Sequence, residues 1–216
     1  MKFFLTIAML SLQLLAIDMP KHSLYLQGNN ENGIILAHGK GKNPDFKVVK
    51  PLRIALNEDM GFHTLSLQMP INHKEYREFE VEQPAVNAMI NQAIQFLHSK
   101  GVKNIYLIGH SLGAGMTSSF LVSYPKSGVK GYIAVGCRGN ESKLISCNDN
   151  MKKINIPVFD IWGDANEEDK RYAATRTHLQ NENYTQYPFP NANHVLDGVD
   201  GFLIEEVENW IEQQQE

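Results

Sequence analysis

The sequence predicts an α/β fold with a mostly parallel, doubly wound sheet and helices on both faces. Two observations carry that prediction. The strand candidates Ile34–Ala37, Ile105–Ile108, Tyr132–Val135 and Ile156–Trp162 are apolar nearly throughout, the pattern of strands buried on both faces rather than one. They also alternate with segments of helical period, which calls for crossover helices packed over a parallel sheet. At 216 residues and 43% hydrophobic content, the chain can bury one sizeable core, and a second domain is not expected beyond residues 17–216.

In chain order, Ser23–Gln27 alternates as a short strand, and the Gly- and Asn-rich run from Gly28 to Gly33 turns the chain into the Ile34 strand. Val48–Leu56 reads as a helix disturbed by Pro51, and Phe62–Gln68 as a strand. Met69–Phe79 is a polar and aromatic loop suited to border a cleft. Val86, Met89, Ile90, Ala93, Ile94 and Leu97 then repeat on one helical face, closed by Gly101. Ala114–Tyr124 makes the next helix, Glu167–Gln180 a polar one, and Thr185–Phe189 the last strand. Leu203, Ile204, Val207, Trp210 and Ile211 set the apolar stripe of a closing helix.

The net charge of −4 comes without a long run of Lys or Arg, so the footprint of a nucleic-acid binder is missing. Met1–Lys2 and the apolar run Phe3–Ala16 have the charge and length of a signal peptide, too short to span a membrane comfortably. A periplasmic or secreted protein is the expectation, with no stable membrane insertion once residues 1–16 are removed. An anchored or cytoplasmic protein is the alternative, since no clear small-x-small cleavage site follows. Cys137 and Cys147 are the two cysteines, and export would pair them. No Cys/His cluster with ligand spacing accompanies them, so no metal is expected.

The stretch that carries chemistry is Asn104–Gly115, where a buried strand runs into Gly109-His-Ser-Leu-Gly113 and a helix follows. A G-x-S-x-G in that setting forms a sharp turn that lifts a serine hydroxyl above the sheet. Serine is a weak nucleophile at neutral pH and needs a base, which itself needs an orienting group. His194, in the loop between the last strand and the last helix, is the expected base for Ser111. The neighbouring His110 is expected to point away and pack on the helix side. Acyl transfer develops an oxyanion, and two backbone N–H groups are expected to hold it: that of Leu112, and that of Lys40 in the turn His38-Gly-Lys-Gly41.

Taken together, Ile34–Gly41, Gly109–Gly113, Val158–Asp164 and Asn191–Trp210 resemble the α/β-hydrolase superfamily in its own chain order. The chain is similar to small hydrolases without a cap domain, such as dienelactone hydrolases, and to a bacterial α/β-hydrolase-like family of unknown function. The resemblance implies an eight-stranded-type sheet with its first strands reduced, no cap, no cofactor, and a serine, acid, histidine triad. It leaves the acid open. The usual G-x-x-D reads here Gly163-Asp-Ala-Asn166, with asparagine at the acidic position. Asp164 is the first candidate, Asn166 and Asp160 are alternative orienters, and Glu167, Glu168 and Asp169 read as the negative first turn of a helix.

The function expected is that of a serine hydrolase acting on a carboxylic ester or related acyl bond of a small molecule. The same triad serves a thioesterase or peptidase equally well. Asn166 in place of a carboxylate motivates a rival reading, a non-catalytic binding protein on a hydrolase scaffold.

Overall fold

The computed structural model describes residues 17–139 and 142–215; the expected leader, 1–16, lies outside them. Seven strands, β1 (Leu24–Leu26), β2 (Asn32–Ala37), β3 (His63–Leu67), β4 (Asn104–His110), β5 (Val129–Val135), β6 (Val158–Gly163) and β7 (Tyr184–Phe189), form one sheet in the order β1-β3-β2-β4-β5-β6-β7. Every pairing is parallel except β1 with β3 at the edge.

Among the described residues six helices accompany the sheet: α1 (Val49–Glu58), α2 (Gln83–Ser99), α3 (Leu112–Ser123), α4 (Cys147–Asn150), α5 (Glu167–Ala174) and α6 (Asp200–Gln213). Side-chain alternation along the strands sorts the core into two layers. Ile35, Ala37 and Leu107 join Val86, Ile90 and Leu97 of α2 and Phe120 of α3. Ile34, Leu36, Tyr106 and Ile108 join Leu52 and Leu56 of α1 and Leu203, Val207 and Ile211 of α6. Each such aliphatic side chain, fully buried, contributes about 1.5–3 kcal/mol. Sheet and helices together are the α/β-hydrolase arrangement, and among the described residues no cap stands over the strand ends.

Several expectations need correction. Pro51 does not disturb α1, because it is the third helical residue, where a missing N–H costs nothing. The helix expected over Glu167–Gln180 ends at Ala174, and a separate 3₁₀ turn, Thr177–Leu179, follows. Tyr76–Glu82 forms a 3₁₀ segment that begins inside the region read as loop, and between β5 and β6 stand α4 and a further 3₁₀ turn, Met151–Lys153. The pairing expected of Cys137 and Cys147 is present: they are disulfide-bonded, with Cα atoms 5.9 Å apart. Among the described residues no helix is long and apolar enough to cross a membrane.

The chain reverses direction across the sheet at β2 and β4, since β3 lies on one side of β2 and β4 on the other. Ligands in open parallel sheets bind beyond the carboxyl ends of the strands at that point. The turn after β2 and the elbow after β4 therefore meet there.

Candidate active site

Ser111 sits between β4 and α3 with φ 54° and ψ −118°, a conformation a side-chain-bearing residue adopts only under strain. The glycines make that turn possible. A Cβ on Gly113 would stand 2.3 Å from the carbonyl oxygen of Ala37, and one on Gly109 would stand 2.5 Å from the Cα of Ala114. The Ser111 N–H donates to Val135 at 2.9 Å, tying the elbow to β5. Leu112 opens α3, so its N–H has no acceptor inside the helix.

His194 arrives from the loop between β7 and α6. Its Nε2 lies 2.9 Å from Ser111 Oγ, and its Nδ1 lies 2.6 Å from Oδ2 of Asp169. The carboxylate beside His194 is thus Asp169, not Asp164. Side-chain exposures of 22% for His194 and 1% for Asp169 put the imidazole at the cleft surface and the acid beneath it. Burial pushes the Asp169 pKa up, but the hydrogen bond and charge of His194 and the charge of Arg138 outweigh it, leaving the group below the usual carboxylate value.

The other acid candidates are engaged elsewhere. Asp164 accepts the Asn191 N–H at 2.6 Å and braces the turn before His194. Asn166 is the N-cap of α5, accepting the Asp169 N–H at 2.9 Å. Asp160, fully buried, pairs with Arg176 at 3.0 Å and accepts from Tyr184 and Gln186. Arg176 in turn donates to the Cys137 carbonyl and to Asn148, so this network ties β6 to the disulfide-bonded segment.

His110 does not point away from the site. It shares a strand face with Tyr106 and Ile108, the face toward α6 and the His194 loop. Its Nε2 donates to the His194 carbonyl at 3.2 Å, with ring centroids 5.1 Å apart. Burial and the neighbouring His194 push its pKa down to about 3, so it is a neutral brace. His38 is buried too, donating from Nδ1 to the Gly39 carbonyl at 2.8 Å and accepting the Met69 N–H on Nε2 at 3.0 Å.

Three residues at the site were not singled out by sequence reasoning. Asp169 and Ala173, four residues on, are the buried residues of α5, whereas Glu168 is exposed; no local pattern set Asp169 apart, since Tyr172 stands four residues after Glu168 in the same way. Arg138 donates through Nε to Asp169 Oδ1 at 2.7 Å and through Nη1 to Glu168. Tyr76, on the 3₁₀ segment after β3, places its hydroxyl 2.8 Å from Ser111 Oγ; only the aromatic character of that loop hinted at it.

Ser111, His194, His110, Tyr76 and Arg138 line an open cleft of about 230 Å³ together with Gly39, Lys40 and Lys42. A larger groove, about 440 Å³, lies between Met69 and Met89 and includes neither Ser111 nor His194. Among the described residues no cluster of His, Cys, Asp or Glu is arranged to hold a metal ion.

Solved structures with the same architecture include a dienelactone hydrolase from Anabaena variabilis, 15% identical, with a TM-score of 0.71 over 92% of this chain and 95% of that one. Est1E from Butyrivibrio proteoclasticus is 16% identical, with a TM-score of 0.70 over 89% and 93%. XC6422 from Xanthomonas campestris, described as an α/β serine hydrolase without lid, is 15% identical, with a TM-score of 0.65 over 89% and 96%. At these identities the likeness establishes the α/β-hydrolase fold. No curated protein matches the chain by sequence. A family model described as protein of unknown function (DUF3530) matches residues 73–213, most of the chain and every residue from the Tyr76 segment to α6. The chain belongs to that family.

Proposed function

We propose that this protein is a serine hydrolase that cleaves a carboxylic ester or related acyl bond of a small molecule. The observation that carries the reading is the continuous relay from Ser111 Oγ to His194 at 2.9 Å and from His194 to Asp169 at 2.6 Å. In this reading Ser111 attacks the acyl carbon while its proton passes to His194 Nε2, and Asp169 holds the ring and stabilises the imidazolium. The tetrahedral intermediate collapses as His194 returns the proton to the leaving group. Water then repeats the sequence on the acyl-enzyme.

The oxyanion is assigned to the N–H groups of Leu112 and Lys40. The Gly39 carbonyl is held by His38 Nδ1 at 2.8 Å and by the Lys42 N–H at 3.3 Å. A trans peptide directs its N–H opposite to its carbonyl, so these two bonds fix the direction of the Lys40 N–H. A Cβ on Gly39 would stand 3.2 Å from Ser111 Cβ, which brings that peptide close to the nucleophile. Each such donor is worth on the order of 3 kcal/mol of barrier.

Asp169 answers the observation behind the non-catalytic reading, since a buried carboxylate meets His194 although Asn166 holds the usual position. A small, uncapped cleft favours a compact acyl group over a long enclosed lipid. Esterases and a monoacylglycerol lipase among the structural neighbours, one esterase with ferulic acid bound, support a small-molecule substrate. The bonded Cys137–Cys147 pair supports an oxidising compartment, periplasmic or secreted. A fluorophosphonate probe tests the reading: it should label the wild type and not Ser111→Ala, and a folded wild type that stays unlabelled refutes it.

A further inference from the structure

We propose that Tyr76 is a further catalytic residue, whose hydroxyl, 2.8 Å from Ser111 Oγ in the resting site, donates to the substrate carbonyl oxygen as it becomes negative. The assignment rests on Ser111 being the nucleophile.

The two bonds at Ser111 Oγ have different directions. The Asp169 carboxylate accepts from His194 Nδ1, which leaves Nε2 of the neutral ring to accept the serine proton, so in the bond with Tyr76 the phenol donates and Oγ accepts. Burial pushes the Tyr76 pKa up from its ordinary value of 10.0, against the opposing bond to Ser111. The group therefore keeps its proton through the neutral range, and it supplies a hydrogen bond rather than a transferable proton.

When Oγ attacks, the Oγ–C bond forms, the proton moves to His194 Nε2, and the carbonyl π pair moves onto the carbonyl oxygen. Oγ becomes an ester-type oxygen and a poorer acceptor, while full negative charge collects on the neighbouring oxygen. A donor already aimed at Oγ then finds its stronger partner one bond angle away. On collapse the electron pair returns, the bond to the leaving group breaks, and His194 gives that group its proton. The hydrogen bond of Tyr76 strengthens only as charge develops, which is what lowers a barrier rather than a binding energy.

Position supports this. Lys40 Nζ lies 5.3 Å from the Tyr76 ring centroid and donates to the Lys74 carbonyl at 2.7 Å, so Tyr76 stands beside Lys40 in the cleft that Ser111 and Gly39 also line. The segment carrying Tyr76 is also held in place. Phe79 is fully buried, His73 meets Glu82 at 2.9 Å, and Glu78 accepts the N–H groups of Lys74 and Glu75 at 3.0 and 2.9 Å. A fixed donor needs no reorganisation at the moment of reaction.

The test compares wild type with Tyr76→Phe on p-nitrophenyl acetate and on a trifluoromethyl ketone, whose adduct with serine carries the same oxyanion. We expect kcat to fall about 100-fold, KM to stay within about three-fold, and the Ki of the ketone to rise in parallel with the loss of kcat/KM. Unchanged kcat, or a loss of kcat with an unchanged Ki, in a variant with wild-type thermal stability means that Tyr76 only covers the serine, and overturns the proposal. Fluorophosphonate labelling of Ser111 in the wild type separates the two layers. Labelling with full turnover in Tyr76→Phe overturns the role of Tyr76 alone, whereas no labelling overturns the hydrolase reading and this role with it.

Discussion

Asp169 reaches His194 from inside a helix: its Oδ2 lies 2.6 Å from the imidazole Nδ1 although it is the third residue of α5. In the proposed reaction this hydrogen bond fixes the ring, and the charge stabilises the imidazolium formed as Ser111 gives up its proton. Replacing Asp169 by Asn keeps the shape but removes the charge and permits the wrong tautomer, so kcat should fall about 10³- to 10⁴-fold. Asp164→Asn should leave kcat within about two-fold, because Asp164 braces the Asn191 turn and does not touch the ring. Steady-state hydrolysis of p-nitrophenyl acetate measures both. Equal losses would assign the orienting role to the loop rather than to the helix.

The cap of α5 and the acid share one hydrogen bond, since the Asn166 side chain accepts from the N–H of Asp169 itself. Asn166→Ala leaves that first turn uncapped and should cost about 1 kcal/mol. Asn166→Asp retains an acceptor of the same length and should keep both stability and turnover. Urea melts followed by circular dichroism read the stability difference. Loss of stability in Asn166→Asp equal to that in Asn166→Ala would show that the cap contributes nothing.

What was legible in the sequence follows from what is local. The period-2 and period-3.6 patterns depend on each segment alone, so β2, β4, α2 and α6 could be placed from Ile34–Ala37, Ile105–Ile108 and the stripes of Val86–Leu97 and Leu203–Ile211. Ser111 was legible because its glycines encode a turn. His110 was misplaced because its direction is set by strand phase, which carries it to the layer of α6. Asp169 looked like a helix-start acid because it is one, and only the packing of α5 on β6 turns it toward His194. Tyr76 and Arg138 meet the site across 35 and 31 residues of separation, from Ser111 and Asp169 respectively, and no local pattern encodes such pairings.

The Asp160–Arg176 pair lies in the interior with both side chains essentially without solvent, 0% and 2% exposed respectively. Tyr184 donates to the same carboxylate at 2.7 Å. Removing Asp160 alone strands a buried guanidinium, so Asp160→Ala should destabilise the protein by about 3–5 kcal/mol. Asp160→Leu combined with Arg176→Met removes both charges and should be markedly less destabilised than the sum of the two single variants. Equilibrium urea unfolding of the four proteins tests it, and strict additivity would show that the pair does not act as a unit.

His110 makes the fold sensitive to acid in a direction that can be worked out. Its pKa falls from 6.5 to about 3 in the folded protein, through burial first and the neighbouring His194 second. Between those values the unfolded chain binds a proton that the folded chain does not, so stability rises with pH across this window and is lost as pH falls below 6.5. One such group changes stability by about 1.4 kcal/mol per pH unit, or about 2 kcal/mol between pH 6.5 and 5. His110→Gln keeps a side-chain donor that can be offered to the His194 carbonyl but does not titrate. Its stability should therefore vary less with pH than that of the wild type over this range, with the curves separating below pH 6.5. Thermal melts at half-unit steps from pH 7.5 to 4.5 measure this, and parallel curves for the two proteins would show that His110 is not the titrating group.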